Sequence, residues 1–359
     1  MFGADELVFT LPHVVAGTMV LSITAYVLLA GADFGGGVWD LLARGARKAQ
    51  QRKLIADAIG PVWEANHVWL ILVVVMMFSC FPAAFAHFST ELHVPLTLML
   101  VGVVLRGSAF TFRSYDVSGG ANQARWGMVF SIASLMTPII LGVCIGTVAA
   151  GNIPMDVGTS RTFVERFVSP WITPFAFSVG ALTLALFALL AATYLTIEAR
   201  SADVREDFRK RALSAMVAVA VVAALTLFLA KRDAALVYHG LTSGWRALLL
   251  IGATAIFALI ASVALLTRAF QIARVAVGAL ASFIVWGWAW SQYPFLMPPD
   301  RTIMSLAAPR ATLMWTMSVL IVGTLILLPS FLYLFRVFKS VDRVDVPSDS
   351  PSSLDSTHS

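Results

Sequence analysis

The chain has 359 residues, of which 59% are hydrophobic and only 13% charged, with a mean hydropathy of +0.84. A soluble domain carries roughly 25% charged residues, so this composition excludes a soluble enzyme and assigns the chain to the membrane. The formal charge of +5 is scattered over short connections and not gathered on one basic stripe, so no nucleic-acid partner is expected.

Crossing a bilayer takes about 20 apolar residues. Runs of that kind occupy 11–31, 66–86, 92–112, 127–150, 171–195, 212–230, 246–267, 275–293 and 311–335. The expected fold class is therefore all-α integral membrane with nine transmembrane helices. Asp5 and Glu6 stand where a secretory leader would be basic, so helix 1 is expected to stay in the mature protein. The connections 43–65, 113–126, 196–211, 268–274 and 336–359 hold 17 Lys and Arg, and the opposite set holds 7. Basic residues near span ends stay on the cytoplasmic side, which puts the N-terminus outside and the C-terminus inside.

Residues 1–339 read as a single polytopic membrane domain. Its expected parts are two four-helix bundles, about 8–150 and 170–293, with the last helix, about 311–335, peripheral. Short connections such as 87–91 make neighbours antiparallel, as bundles require. From Ser340 the sequence turns to Ser, Asp and Pro, too polar to bury surface, so 340–359 is expected to be a disordered cytoplasmic tail. Trp286, Trp290 and Tyr293 read as interfacial anchors.

Ionisable groups inside a membrane are costly unless paired or hydrated, so they mark either function or structural pairing. Asp33 ends helix 1 within Gly31-Ala32-Asp33-Phe34-Gly35-Gly36-Gly37, and Glu64 opens helix 2 within Trp63-Glu64-Ala65-Asn66-His67-Val68-Trp69. Arg106 and Arg113 lie at the far end of helix 3. With the orientation above, all of them share the cytoplasmic third of the membrane. Arg106 precedes Arg113 by seven residues, about 10 Å of helix, so it reaches into hydrocarbon and needs an acidic partner, with Asp33 and Glu64 as the candidates. The Gly35–Gly37 run lets a neighbouring helix approach closely. Carboxylates, a His and cations at one depth are what a proton relay needs. Each acid also has a structural reading: Asp33 as a cap or ion pair, and Glu64 as a carboxylate at a helix N-terminus opened by Pro61.

Glu64 and His67 have the Glu-x-x-His spacing of di-iron bundles, but no second copy follows, so no metal site is expected. Cys80 and Cys144 sit inside apolar runs and read as packed free thiols. Haem attachment, phosphate-loop and dinucleotide motifs are missing from the sequence. A secondary transporter is the rival class, with Asp33, Glu64 and Arg106 binding an ion or substrate. Transporters place such groups at the midplane, on broken helices in paired half-repeats, whereas here they are off-centre and unrepeated.

Gly31 to Gly37, Ile59 to Ile71, Phe81-Pro82-Ala83-Ala84-Phe85-Ala86, Leu105 to Arg113, Ala192-Thr193-Tyr194-Leu195 and Tyr293 to Pro298 together resemble subunit II of the cytochrome bd quinol oxidases. The resemblance runs in order from about residue 15 to 335. It implies a haem-free chain, not catalytic alone, in an obligate heterodimer with a subunit I that carries the b-type and d-type haems and the quinol site. The complex would oxidise quinol and reduce dioxygen to water in a bacterial cytoplasmic (inner) membrane, with lipid and quinone around it and room for a third, small single-span subunit. The resemblance puts Asp33 and Glu64 on a cytoplasmic proton pathway; the residues themselves add His67 to it, with Arg106, Arg113 and Asn66 as charge-pairing or structural residues. Trp63 and Trp69 would line an oxygen tunnel. Thr111 stands where relatives often carry an acid, and Glu64-Ala65 where many have Asp-Gly.

Overall fold

The computed structural model describes residues 10–59, 63–115, 121–153 and 162–341. The helices, in order, are α1 (Leu11–Leu41), α2 (Lys48–Ile59), α3 (Trp63–Asn66), α4 (Val68–Cys80), α5 (Pro82–Glu91), α6 (His93–Tyr115), α7 (Ala121–Ala150), α8 (Phe163–Phe167), α9 (Pro174–Glu198), α10 (Ala202–Asp233), α11 (Ala235–Thr242), α12 (Gly244–Leu266) and α13 (Phe270–Gln292). A short antiparallel hairpin, β1 (Phe295–Met297) and β2 (Arg301–Thr302), follows, and then α14 (Ile303–Leu306) and α15 (Arg310–Val341). The chain divides into two compact units, 1–313 and 314–359. The second, described to Val341, holds α15 from Met314 onward, an apolar stretch with Val319, Leu325 and Leu332 exposed. The expected disordered stretch lies, from 342 onward, outside the described residues.

Among the described residues, eight helices are long and apolar enough to cross a membrane: α1, α6, α7, α9, α10, α12, α13 and α15. The fold is all-α and membrane-spanning, as the composition requires. The expected span at 66–86 is broken in the structure into α4 and α5, bent by 117° from one to the next, and makes a ninth span if the bent pair counts as one. Proline causes the break. Pro82 disfavours helical backbone at the residue before it, and Phe81 leaves helical backbone at φ −135°, ψ 57°. The presumed connection 87–91 is therefore the helical end of α5. Likewise, 231–246 is not a plain loop, because α11 fills it.

The core of the first unit is built where α1, α9, α10 and α13 meet, around Phe34, Phe187, Leu190, Phe208 and Val277. Two glycines allow α1 to sit so deep. A Cβ at Gly35 would run into the backbone carbonyl of Phe187 on α9, and one at Gly37 into the Ser134 side chain on α7. The close approach expected of this glycine run is what the structure shows. It also brings the Trp39 indole to α9, where Nε1 donates to the Ala188 carbonyl at 2.8 Å.

Candidate functional site

The cytoplasm-facing reading of the sequence singled out the end of α1, and there the structure gathers its buried polar groups. Asp33 is 6% exposed, and its Oδ2 accepts a hydrogen bond from Asn66 Nδ2 of α3 at 2.8 Å. A carboxylate this deep needs such partners, because desolvation costs the charged form several kcal/mol. His67, the turn residue between α3 and α4, is half-buried, with its ring against Tyr26 (5.9 Å) and edge-on to Phe34 (6.0 Å).

Arg106 of α6 is the largest fully buried polar side chain, at 1% exposure. It forms no direct ion pair with Asp33 or Glu64 among the described residues. Its guanidinium instead lies over the Phe34 ring at 4.6 Å and the Phe130 ring at 5.6 Å. Such desolvated cation–π contacts are worth about 2 kcal/mol. Its charge still interacts through space with Asp33 and Tyr26, while Nε and Nη2 have no hydrogen-bond partner among the described residues.

Arg113, two turns further along α6, is paired through a residue that sequence reasoning missed. Its Nη1 and Nη2 both donate to Asp40 Oδ1, at 3.1 and 3.2 Å. Ser131 Oγ of α7 donates to the other oxygen at 3.2 Å, and Arg52 of α2 lies 3.7 Å away and also donates to the Asp40 carbonyl. Asp40 is 1% exposed, so this cluster ties the C-terminal end of α1 to α2, α6 and α7. A signal for it was present: Asp33 and Asp40 are seven residues apart, as are Arg106 and Arg113, and that interval returns to nearly the same helix face.

Glu64, on the one-turn α3, is exposed; its carbonyl accepts from the His67 backbone at 3.2 Å, and its side chain makes no hydrogen bond or ion pair among the described residues. The structure thus brings Asp33, Asn66, His67 and Arg106 together and leaves the Glu64 carboxylate outside their side-chain contacts. Trp69 is half-buried against the main core. The side chain of Trp63, like Pro61, lies outside the described residues.

At the opposite end of these helices, Glu91 of α5 takes hydrogen bonds from Nε and Nη2 of Arg166 on α8, which hold that guanidinium above its ordinary pKa. Glu165 is used locally, in a capping box with Thr162. No group of three His, Cys, Asp or Glu suited to a metal ion occurs among the described residues. Of the histidines, His13 Nδ1 is bonded to Thr10, His93 Nδ1 lies 2.8 Å from the Thr90 carbonyl, and His67 packs against the rings of Tyr26 and Phe34.

A sequence profile of the family described as cytochrome bd terminal oxidase subunit II matches residues 11–338. A Bacillus subtilis (strain 168) protein provisionally named cytochrome bd menaquinol oxidase subunit II is 25% identical over 323 residues, 87% of this chain and 91% of that one. Cytochrome bd-I ubiquinol oxidase subunit 2 of Escherichia coli (strain K12) is 25% identical over 175 residues, 48% of this chain and 45% of that one. Among solved structures, a chain of the bd oxidase from Geobacillus thermodenitrificans has the same fold, with a TM-score of 0.76 at 22% identity over 92% of this chain and 99% of that chain.

Proposed function

The chain belongs to the cytochrome bd terminal oxidase subunit II family, and from that premise we propose that it is the haem-free partner of a haem-bearing subunit I, supporting that subunit and supplying part of its cytoplasmic proton route. Such a complex is a quinol oxidase, an oxidoreductase in which this chain does no chemistry alone. The haems of subunit I supply electron transfer to dioxygen, whose reduction to water consumes protons. This chain's own residues hold and move those protons.

The observation that carries the reading is Asp33. It is a carboxylate buried inside a membrane helix, hydrogen-bonded to Asn66 and within the field of an Arg106 whose Nε and Nη2 have no hydrogen-bond partner among the described residues. A group so placed has both an affinity for a proton, from desolvation, and a reason to release it, from the nearby cation. Glu64, exposed on α3 two residues before Asn66, is the collecting acid at the water side, and His67 directly follows Asn66 in the chain. Asn66, Arg106 and Arg113 orient and balance charge. Trp63 and Trp69 line the path by which dioxygen enters from the lipid. The 17-to-7 distribution of basic residues supports an external N-terminus and an internal C-terminus in a bacterial inner membrane. The two four-helix groups with a peripheral last helix remain part of the proposal, as do the obligate pairing with subunit I and a place for a small third subunit.

Membership of an oxidase family leaves no observation in favour of the transporter reading. Co-expression with the neighbouring oxidase subunit, affinity capture through this chain and a reduced-minus-oxidised visible spectrum test the assignment. The reading predicts b- and d-type haem bands in the captured pair and none in this chain expressed alone. Haem bands in the lone chain, or no co-purifying haem subunit, contradict it.

A further inference from the structure

A second concentration of charge lies where the end of α1, the start of α2 and the first turns of α10 meet. Arg44, Ala46, Arg47, Asp207, Lys210 and Arg211 line an open cavity of about 290 Å³. At about 30 Å³ each, that is room for roughly ten water molecules. Four cations face one acid, and the acid is already engaged. Arg47 clasps Asp207 with bonds of 2.8 and 2.7 Å, and Gln51 Nε2 donates to it at 2.8 Å.

Arg211 is held in place by Gln51 Oε1 at 2.8 Å and by the rings of Trp39 and Phe208, 5.4 and 5.0 Å below its guanidinium. Its Nη1 is buried with no hydrogen-bond partner among the described residues. Arg44 and Lys210 are exposed and form no ion pair among the described residues. Positive charge is therefore left over on a rim whose inner wall is fixed. The turn through Gly45, at φ +76°, brings the N-terminus of the twelve-residue α2 to the same rim, and a helix N-terminus adds to the attraction for an anion.

The depth of the cavity and the surface beside it select the kind of anion. The cavity lies just beyond the end of one candidate span, α1, and at the first turns of another, α10, where a span of that length meets the headgroup layer. From Lys210, the same face of α10 continues through Ser214 to Val217, Val221, Leu225 and Phe228, and these four large apolar side chains are all exposed. Lys210 to Val221 covers about 16 Å of helix, half the thickness of a hydrocarbon core of about 30 Å. A basic pocket opening onto an apolar track matches a molecule with an anionic head and a hydrocarbon tail.

We propose that this cavity seats the phosphate headgroup of an anionic phospholipid, with its acyl chains along Val217 and Val221 of α10. Basic pockets between membrane helices are a recurrent solution for such headgroups. Inorganic phosphate would meet the same cations but would gain nothing from the apolar track.

Native mass spectrometry of the purified complex tests this, after exchange into nanodiscs of phosphatidylcholine containing a minor fraction of phosphatidylglycerol. Wild type retains phosphatidylglycerol. Arg44→Gln combined with Lys210→Gln loses about 25-fold of that retention, each surface cation contributing about fivefold. Ala46→Glu, a single change at an exposed position, loses retention as well, and Lys231→Gln, at the other end of α10, does not. Val217→Gln with Val221→Gln weakens phosphatidylglycerol but leaves any binding of inorganic phosphate unchanged. Equal retention by wild type and the Arg44/Lys210 variant overturns the proposal. So does full retention by the Val217/Val221 variant, or complete displacement of the lipid by millimolar inorganic phosphate, which marks a site for the free ion. Retention is read whichever side of the membrane the cavity faces and whatever route protons take, so its failure is distinct from failure of the oxidase reading.

Discussion

Arg113 holds Asp40 by two hydrogen bonds to one carboxylate oxygen, 3.1 and 3.2 Å long, and Asp40 stands seven residues beyond Asp33 just as Arg113 stands seven beyond Arg106. The two acids of α1 and the two arginines of α6 therefore carry charge at two levels about 10 Å apart. At one level the pair is closed by direct contact. At the other, Arg106 stays over Phe34 and Phe130, leaving the Asp33 carboxylate with Asn66. The closed level is suited to holding helices together, and the open one to a group that changes its protonation.

The closed level gives the first expectation. Asp40→Ala strands Arg113 and Arg52 beside a buried gap, and removing one partner of a buried pair costs about 3–5 kcal/mol. Thermal unfolding and yield of the purified complex should both fall sharply. Asp57→Asn, at an exposed acid on α2, should leave them within about 0.5 kcal/mol of wild type. Combining Asp40→Ala with Arg113→Met should restore much of the loss, since neither charge is then left unpaired.

At the open level, the surroundings of Arg106 are aromatic, and their removal should be felt as stability. Phe34→Leu keeps the volume apolar but removes the ring face, and a loss of about 2 kcal/mol in unfolding free energy is expected. Arg106→Ala should cost at least as much, because it also leaves a cavity in the core. Thermal scans of the assembled complex decide it. An unchanged midpoint for Phe34→Leu would mean that the ring contact contributes nothing.

Packing at Gly35 allows a sharper test. A methyl group there meets the Phe187 carbonyl, which is backbone and cannot turn aside. Overpacking of this kind costs about 1–3 kcal/mol or more, so Gly35→Ala should reduce recovery of intact complex. Gly17→Ala on the same helix has open space and should not. Quantitative immunoblotting of membranes before and after detergent extraction separates the two.

Much of this architecture was legible in the residue order. Long apolar runs gave the spans of α1, α7, α9 and α12, because a bilayer accepts little else, and the Gly35–Gly37 run announced a tight helix contact. The Phe81–Pro82 break escaped, since hydropathy averaged over a window takes no account of the backbone restriction that proline imposes on its predecessor. Asp40 escaped because it lies at the edge of an apolar run and reads there as a residue of the water interface. Only the fold reveals that Ser131 and Arg52 close over it. The Glu91–Arg166 pair joins residues 75 apart and left no local trace. Asp33 and Glu64 shared a depth in the sequence reading, but the hydrogen bond from Asn66 to Asp33 depended on where the short α3 came to rest.

The most direct measurement is the rate of proton uptake from the inner side during reduction of dioxygen by the assembled complex, compared between wild type, Asp33→Asn and Glu64→Gln. The Glu64 side chain is exposed and makes no hydrogen bond or ion pair among the described residues, so its amide should leave assembly intact. Proton uptake slowed tenfold or more in both variants, with unchanged haem spectra, is the predicted result. Wild-type uptake in both, with haems intact, would contradict a proton route through this subunit.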